Sequence, residues 1–177
     1  MKKRHLATAV AFALLASGTA FGIPSRAGYN GLDFVQATIN ADNYRAQAGG
    51  LAMKKSASAD VREFGRLLWQ DSIENTRRLY WVLNQHPPGV VLPNKISPEY
   101  MFVIDQLVGV SGDEFDRRFI AQQTASLKDA LALAQTYARA GDDFDLKDYA
   151  ERSVPKIEMQ LDRILAIGNE HARVATR

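Results

Sequence analysis

The segment SADVREFGRLLWQDSIENTRRLYWVLNQHPPG, residues 58–89, carries Val61, Phe64, Leu68, Asp71, Asn75, Leu79 and Val82 at alternating three- and four-residue steps. Those steps keep one face of a helix turned toward a core, and strand alternation is absent. Ser58 is placed to cap the helix start. Asp60 falls in the first turn, where the partial positive charge of the helix end favours a carboxylate. Pro87 and Pro88 stop the helix near His86, because proline lacks the amide donor and crowds the preceding turn.

The same periodicity extends outward. Asp33 to Lys55 reads as a first helix, with Phe34, Thr38, Ala41, Arg45, Ala48 and Ala52 on its inner stripe, and Ser56 to Ala59 as a tight reversal. Gly49 and Gly50 inside that helix read as sites of close helix approach, offsetting the conformational cost of glycine. Beyond the prolines, Ser97-Pro98-Glu99 starts a short helix that ends near Val110, proline being suited to the first helical position. Ser111 and Glu114 have the spacing of a capping box for a third long helix with Phe115, Phe119, Ser126, Leu133 and Tyr137 along one side. Gly141 then reads as its C-cap. Asp142 or Asp143 can cap a fourth, running to about His171, with Leu146, Tyr149, Ile157, Leu161 and Ile164 inward and a kink expected at Pro155.

Connection lengths set the topology. The first and second long helices, and the third and fourth, are joined so tightly that each pair must be an antiparallel hairpin. The second helix spans about 42 Å at 1.5 Å per residue, and the stretch 87–112 is long enough to travel that distance back. The expected fold is all-α: a ferritin-like four-helix bundle whose long crossover between the second and third long helices contains a short helix. The expected organisation is a signal peptide (1–22), a flexible leader (23–32), the bundle (33–172) and a tail (173–177).

Lys2, Lys3 and Arg4, the apolar run Leu6 to Ala16 and the small residues after it read as a secretory signal, cleaved after Ala20 or Gly22. The chain of 177 residues has a formal charge of +2, but this segment takes three basic residues and no acidic one with it, leaving a nearly neutral mature chain. The remaining basic doublets, Lys54-Lys55, Arg77-Arg78 and Arg117-Arg118, are scattered among acids, as on solvated helix faces, so no nucleic-acid partner is expected. No later run is long enough to cross a bilayer. The absence of cysteine excludes disulfides, thiolate metal sites and cysteine nucleophiles.

Polar residues on inward stripes are the candidates for function. Arg45 and Asp71 fall at one level when counted from the reversal near Ala57, and a buried charge needs a partner, so they are expected to face each other as an ion pair. A di-metal bundle would use Glu-x-x-His motifs, and none exists. His86 and His171 read as solvent-facing residues at helix ends. Asp71 and Glu74 form an i, i+3 carboxylate pair that offers at most one weak metal site. Ser56, Ser58 and Ser126 have no His/Asp partners for a triad. Trp69, Tyr80, Trp81 and Tyr100 read as packing residues, with a binding patch as the alternative. No cofactor is expected.

Asp33-Phe34-Val35, Gly49-x-Leu51-Ala52-x-Lys54-x-Ser56, Val61-x-x-Phe64, Asp71, Phe115-Asp116, Tyr149-Ala150 and Val154-Pro155, in this order and spacing, resemble the bacterial envelope family catalogued as domain of unknown function 4142. The resemblance runs from residue 33 to about 168. It implies an exported, ferritin-like bundle without an established activity, periplasmic or secreted and associated at most with the outer membrane. It also implies histidines where this chain has Ser72, Leu127 and Gln160, and an acidic residue where it has Arg45. In the bundle these positions fall at about one level, so a core polar layer of Arg45, Asp71, Ser72, Asn75, Leu127 and Gln160 is expected, with no metal held there. The function expected is that of a non-catalytic exported bundle meeting an unknown protein or envelope partner, or acting under stress. The alternative is a ferritin-like metal-binding protein or oxidoreductase using carboxylate ligands.

Overall fold

The computed structural model describes residues 30–85 and 96–175; the expected export signal, most of the leader, His86 and the prolines at 87, 88 and 93 lie outside the described residues. Five helices follow in order: α1 (Gly31–Lys55), α2 (Ala59–Leu83), α3 (Pro98–Val108), α4 (Gly112–Ala140) and α5 (Phe144–Ala175). Among the described residues there is no strand, and no helix is long and apolar enough to cross a membrane. The four long helices form the expected bundle, with α3 in the crossover.

Local chemistry fixes most helix ends. The Ser58 hydroxyl accepts the Val61 amide at 3.4 Å, and Asp143 caps α5 by accepting the Leu146 amide at 2.9 Å. Asp142 instead accepts the Tyr137 hydroxyl at 2.8 Å. α1 starts earlier than expected because Asn30 caps it, accepting the amides of Leu32 and Asp33. α2 ends at Leu83, somewhat before His86. The capping box expected at Ser111 does not form: its side chain makes no cap bond, and Glu114 pairs outward with Arg117 and Arg118. Pro155 lies inside α5 without ending it. α5 also runs through Arg173 to Ala175, where a tail was expected.

Tight packing is concentrated within the two hairpins, α1 with α2 and α4 with α5; α1 also meets α4, α3 lies across both, and the α2–α5 seam is thin. One crossing explains the closeness of α1 and α2. A β-carbon on Gly49 would stand 2.4 Å from the Gly65 carbonyl oxygen, and one on Gly65 would stand 2.6 Å from the Ala52 β-carbon. Gly50 faces open space instead, so only the first glycine of the pair serves close approach.

The core is divided. One apolar cluster, including Tyr44, Phe64, Leu68, Phe115, Phe119 and Ile164, fills the end near the α1–α2 turn, where α3 adds Val103, Ile104 and Leu107. The other, including Phe34, Ile39, Leu79, Leu133, Tyr137 and Tyr149, fills the opposite end, with Phe34 stacked on Tyr137 at 4.1 Å between ring centroids. In each long helix a stretch of smaller and more polar residues separates the two, from about one turn on α1 (Ile39 to Tyr44) to about three on α2 (Leu68 to Leu79).

Gly49→Ala is expected to destabilise the protein by about 1–3 kcal/mol, the usual cost of overpacking. Gly50→Ala should stabilise by about 0.5–1 kcal/mol, since only the glycine entropy penalty is removed. Urea denaturation of the two variants checks both signs.

Candidate functional site

Between the two apolar clusters lies a cavity of about 400 Å³. It exists because the residues facing this level are short: Ala41 on α1, Ser72 on α2, Ser126 and Ala130 on α4, and Ser153 on α5 all line it. Large side chains there would have closed the core, as they do above and below. The mouth opens at the thin α2–α5 seam, past Arg78 and Trp81 on one side and Asp148 and Arg152 on the other.

The wall holds a buried ion pair. Asp42 and Arg45 are only 2% and 5% exposed, and an Arg45 Nη2–H donates to Asp42 Oδ1 within α1. Asp42 Oδ2 accepts from Asn75 Nδ2 at 2.5 Å and from the Thr76 hydroxyl at 3.5 Å. Desolvation raises the Asp42 carboxyl above its ordinary pKa of 3.8, and Arg45, Asn75 and Thr76 pull it part of the way back. Arg45 Nη1 lies buried without a hydrogen-bond partner, and so does the Ser126 hydroxyl. Both residues line the cavity.

A second polar set faces them from the α2–α5 seam. Asp71 accepts Lys156 Nζ at 2.6 Å and Gln160 Nε2 at 2.7 Å. The Tyr149 hydroxyl, whose pKa burial pushes up, donates to the Asn75 carbonyl at 3.4 Å. At the rim, Arg152 pairs with Asp148 at 2.8 Å, and Trp81 is 66% exposed.

The expected polar layer is therefore brought together in part. Arg45, Asp71, Ser72, Asn75 and Gln160 all line the cavity, whereas Leu127 is wholly buried in the apolar cluster near the α1–α2 turn. The expected Arg45–Asp71 pair is replaced by two separate pairs: Asp42 answers Arg45, and Lys156 with Gln160 answers Asp71. Counting from the turn gave the right level but not the right face. Asp42 was missed because it sits beside the stripe rather than on it; its i, i+3 spacing to Arg45 was the available signal.

Glu74 pairs with Arg77 and Arg78 on the exposed face of α2 and does not line the cavity, so it does not join Asp71 in a common site. Trp69 and Tyr80 are partly exposed on α2, while Tyr100 stacks on Tyr44 at 4.9 Å. His171, expected to face solvent, is half-buried beside Asp113 and Asp116.

These features define a class: an α-helical bundle with a polar, ion-paired cavity between two apolar ends. The chain belongs to the family described as Domain of unknown function (DUF4142), whose pattern matches residues 24–167. Among solved structures it is similar to one described as "CopM in the Cu(II)-bound form", with a TM-score of 0.65 at 12% identity, over 80% of this chain and 97% of that one. That likeness is one of fold. No curated protein matches the chain.

Substitutions in the buried pair should differ in cost and in the sign of their pH dependence. Asp42→Asn leaves a guanidinium, which keeps its proton in proteins, buried without its counter-ion, and leaves no carboxyl to titrate at this position. Arg45→Met leaves a carboxyl that can be neutralised by taking up a proton, so its cost should be smaller in acid. A carboxyl whose folded pKa is raised contributes stability that is full below its unfolded pKa and is lost as pH rises through the folded value. Removing Arg45 raises the folded value further, so the gap between wild type and Arg45→Met should widen as pH rises from about 4. Between wild type and Asp42→Asn it should narrow. Urea melts across pH 4–8 measure both trends, and parallel profiles would contradict the assignment.

Proposed function

We propose that this protein is an exported, non-catalytic binding protein whose cavity takes a small organic molecule with an acceptor head group, a carboxylate or a carbonyl. The observation carrying this reading is that Arg45 Nη1 and the Ser126 hydroxyl are both buried and unpartnered and that both residues line the cavity. Leaving buried donors unmatched costs about 1–3 kcal/mol apiece, and an acceptor entering the cavity would recover it. Phe34, Val82 and Leu133 line the same space and suit an apolar body behind such a head group. Size supports the reading as well, because small-molecule pockets run from about 300 to 1,000 Å³. The basic, apolar and small-residue segments at 1–22 support export to the periplasm or beyond, where the bundle would carry or sense its ligand in contact with an envelope partner.

A metal-handling role in the cavity starts from the structural neighbour, which is described in a Cu(II)-bound form. Here it has less support, because Asp71 is engaged by Lys156 and Gln160 and Glu74 points away to two arginines.

Native mass spectrometry of chain gently purified from its own host should show a bound organic species. Ala130→Leu, which fills the cavity, should lose that species with helical circular dichroism unchanged, and Arg45→Met should weaken its retention at least tenfold. If wild type carries no adduct, and no member of a panel of aliphatic and aromatic carboxylates raises its melting temperature, the reading is wrong.

A further inference from the structure

At the end of the bundle that holds the α1–α2 turn, the start of α4 presents Asp113 and Asp116 three residues apart, hence on one helix face. α5 runs back antiparallel and sets His171 against them. One ligand atom from each of the three lies within 4.8 Å of the others. Oxygen and nitrogen ligands stand about 2.0–2.2 Å from a zinc-sized ion, and three of them around one ion stand about 3.4–3.8 Å apart, so side-chain rotations closing the set by about 1 Å would let one ion touch all three.

A second observation points to a missing cation. Asp116 is 1% exposed, and its Oδ2 accepts the Ser58 amide at 3.1 Å, but its Oδ1 is buried with no hydrogen-bond partner. A buried carboxylate oxygen needs a donor or a positive charge. The nearby cations are committed elsewhere. Lys55 Nζ donates to the carbonyls of Val108 and Val110, Arg62 to those of Ser56 and Ala57, and Arg117 and Arg118 pair with Glu114.

We propose that Asp113, Asp116 and His171 form a site for one first-row divalent transition-metal ion. Two carboxylates and an imidazole make a mixed oxygen–nitrogen set suited to zinc, copper or nickel rather than to calcium or magnesium, which prefer oxygen alone. The Ser58 amide orients Asp116 in the way that outer hydrogen bonds orient metal ligands. Asp113 is exposed, so the remaining coordination positions face water and the ion is exchangeable. The partial positive charge of the α4 N-terminus opposes a cation and weakens binding by a factor of a few. An ion here would tie the α1–α2 turn, the start of α4 and the end of α5 together, independently of the cavity.

Zinc chloride titrated into the untagged full chain in a calorimeter should show one equivalent bound and should raise the melting temperature. His171→Asn and Asp113→Asn, neither of which touches the core, should each weaken binding at least tenfold while the metal-free melting temperature stays unchanged. A variant with the other two histidines replaced, His5→Asn with His86→Asn, should bind as wild type does. Absence of zinc binding by wild type, undiminished binding by His171→Asn, or loss in the His5/His86 variant would each overturn the proposal.

Discussion

The close crossing at Gly49 and Gly65 is the constraint on which the rest of the bundle depends. With no side chain between them, the two backbones meet eight residues either side of Ala57, and this fixes the register of α1 against α2. That register carries Asp42 to the level of Asn75 and Thr76, which supply the hydrogen bonds that a buried carboxylate requires. It also sets Ser58 where its amide reaches Asp116 on α4, so the turn of one hairpin is tied to the start of the next. Separating the helices by even one methyl group would loosen the polar wall along with the packing.

The polar layer works against stability and is tolerated because both ends of the bundle are well filled. Phe64, Phe115 and Phe119 pack at one end, Phe34, Tyr137 and Tyr149 at the other. Between them each helix gives up large side chains for alanine and serine, and the charges that line the gap are almost all answered within it. A chain selected for stability alone would be better served by leucines at this level, since replacing a buried ion pair with packed apolar residues is often neutral or stabilising. The open space ringed by Asp42, Arg45, Asp71 and Lys156 is thus a cost in stability, as the proposed binding role would require.

Much of the fold could be read from the sequence because it is written in local chemistry. The stripe from Val61 to Val82, the caps at Ser58 and Asp143 and the proline at the start of α3 each act within a few residues. The two tight links then forced the hairpins. The site was legible only in part, since it depends on azimuth. Arg45 and Asp71 share a level, yet a rotation of about 100° per residue around the helix decides which side chain meets which, and Asp42 rather than Asp71 faces the guanidinium. Leu127 differs for the same reason, lying on the apolar side of α4 beside the cavity-facing Ser126. His171 looked like a frayed end because nothing near it in sequence hinted at Asp113 and Asp116, which reach it only through the antiparallel return of α5.

The unequal seams also govern access. Each hairpin is held along its length, and α3 straps α1 to α4, while α2 and α5 touch sparingly. Parting that seam would forfeit less contact than parting α1 from α4, so a spreading of two intact hairpins about the α1–α4 line would be the least costly way to widen the entrance. Such collective motions belong to the microsecond-to-millisecond range. The Asp71–Lys156 ion pair bridges the seam, so rising ionic strength, which screens such pairs, would shift how often the bundle breathes without altering what it encloses.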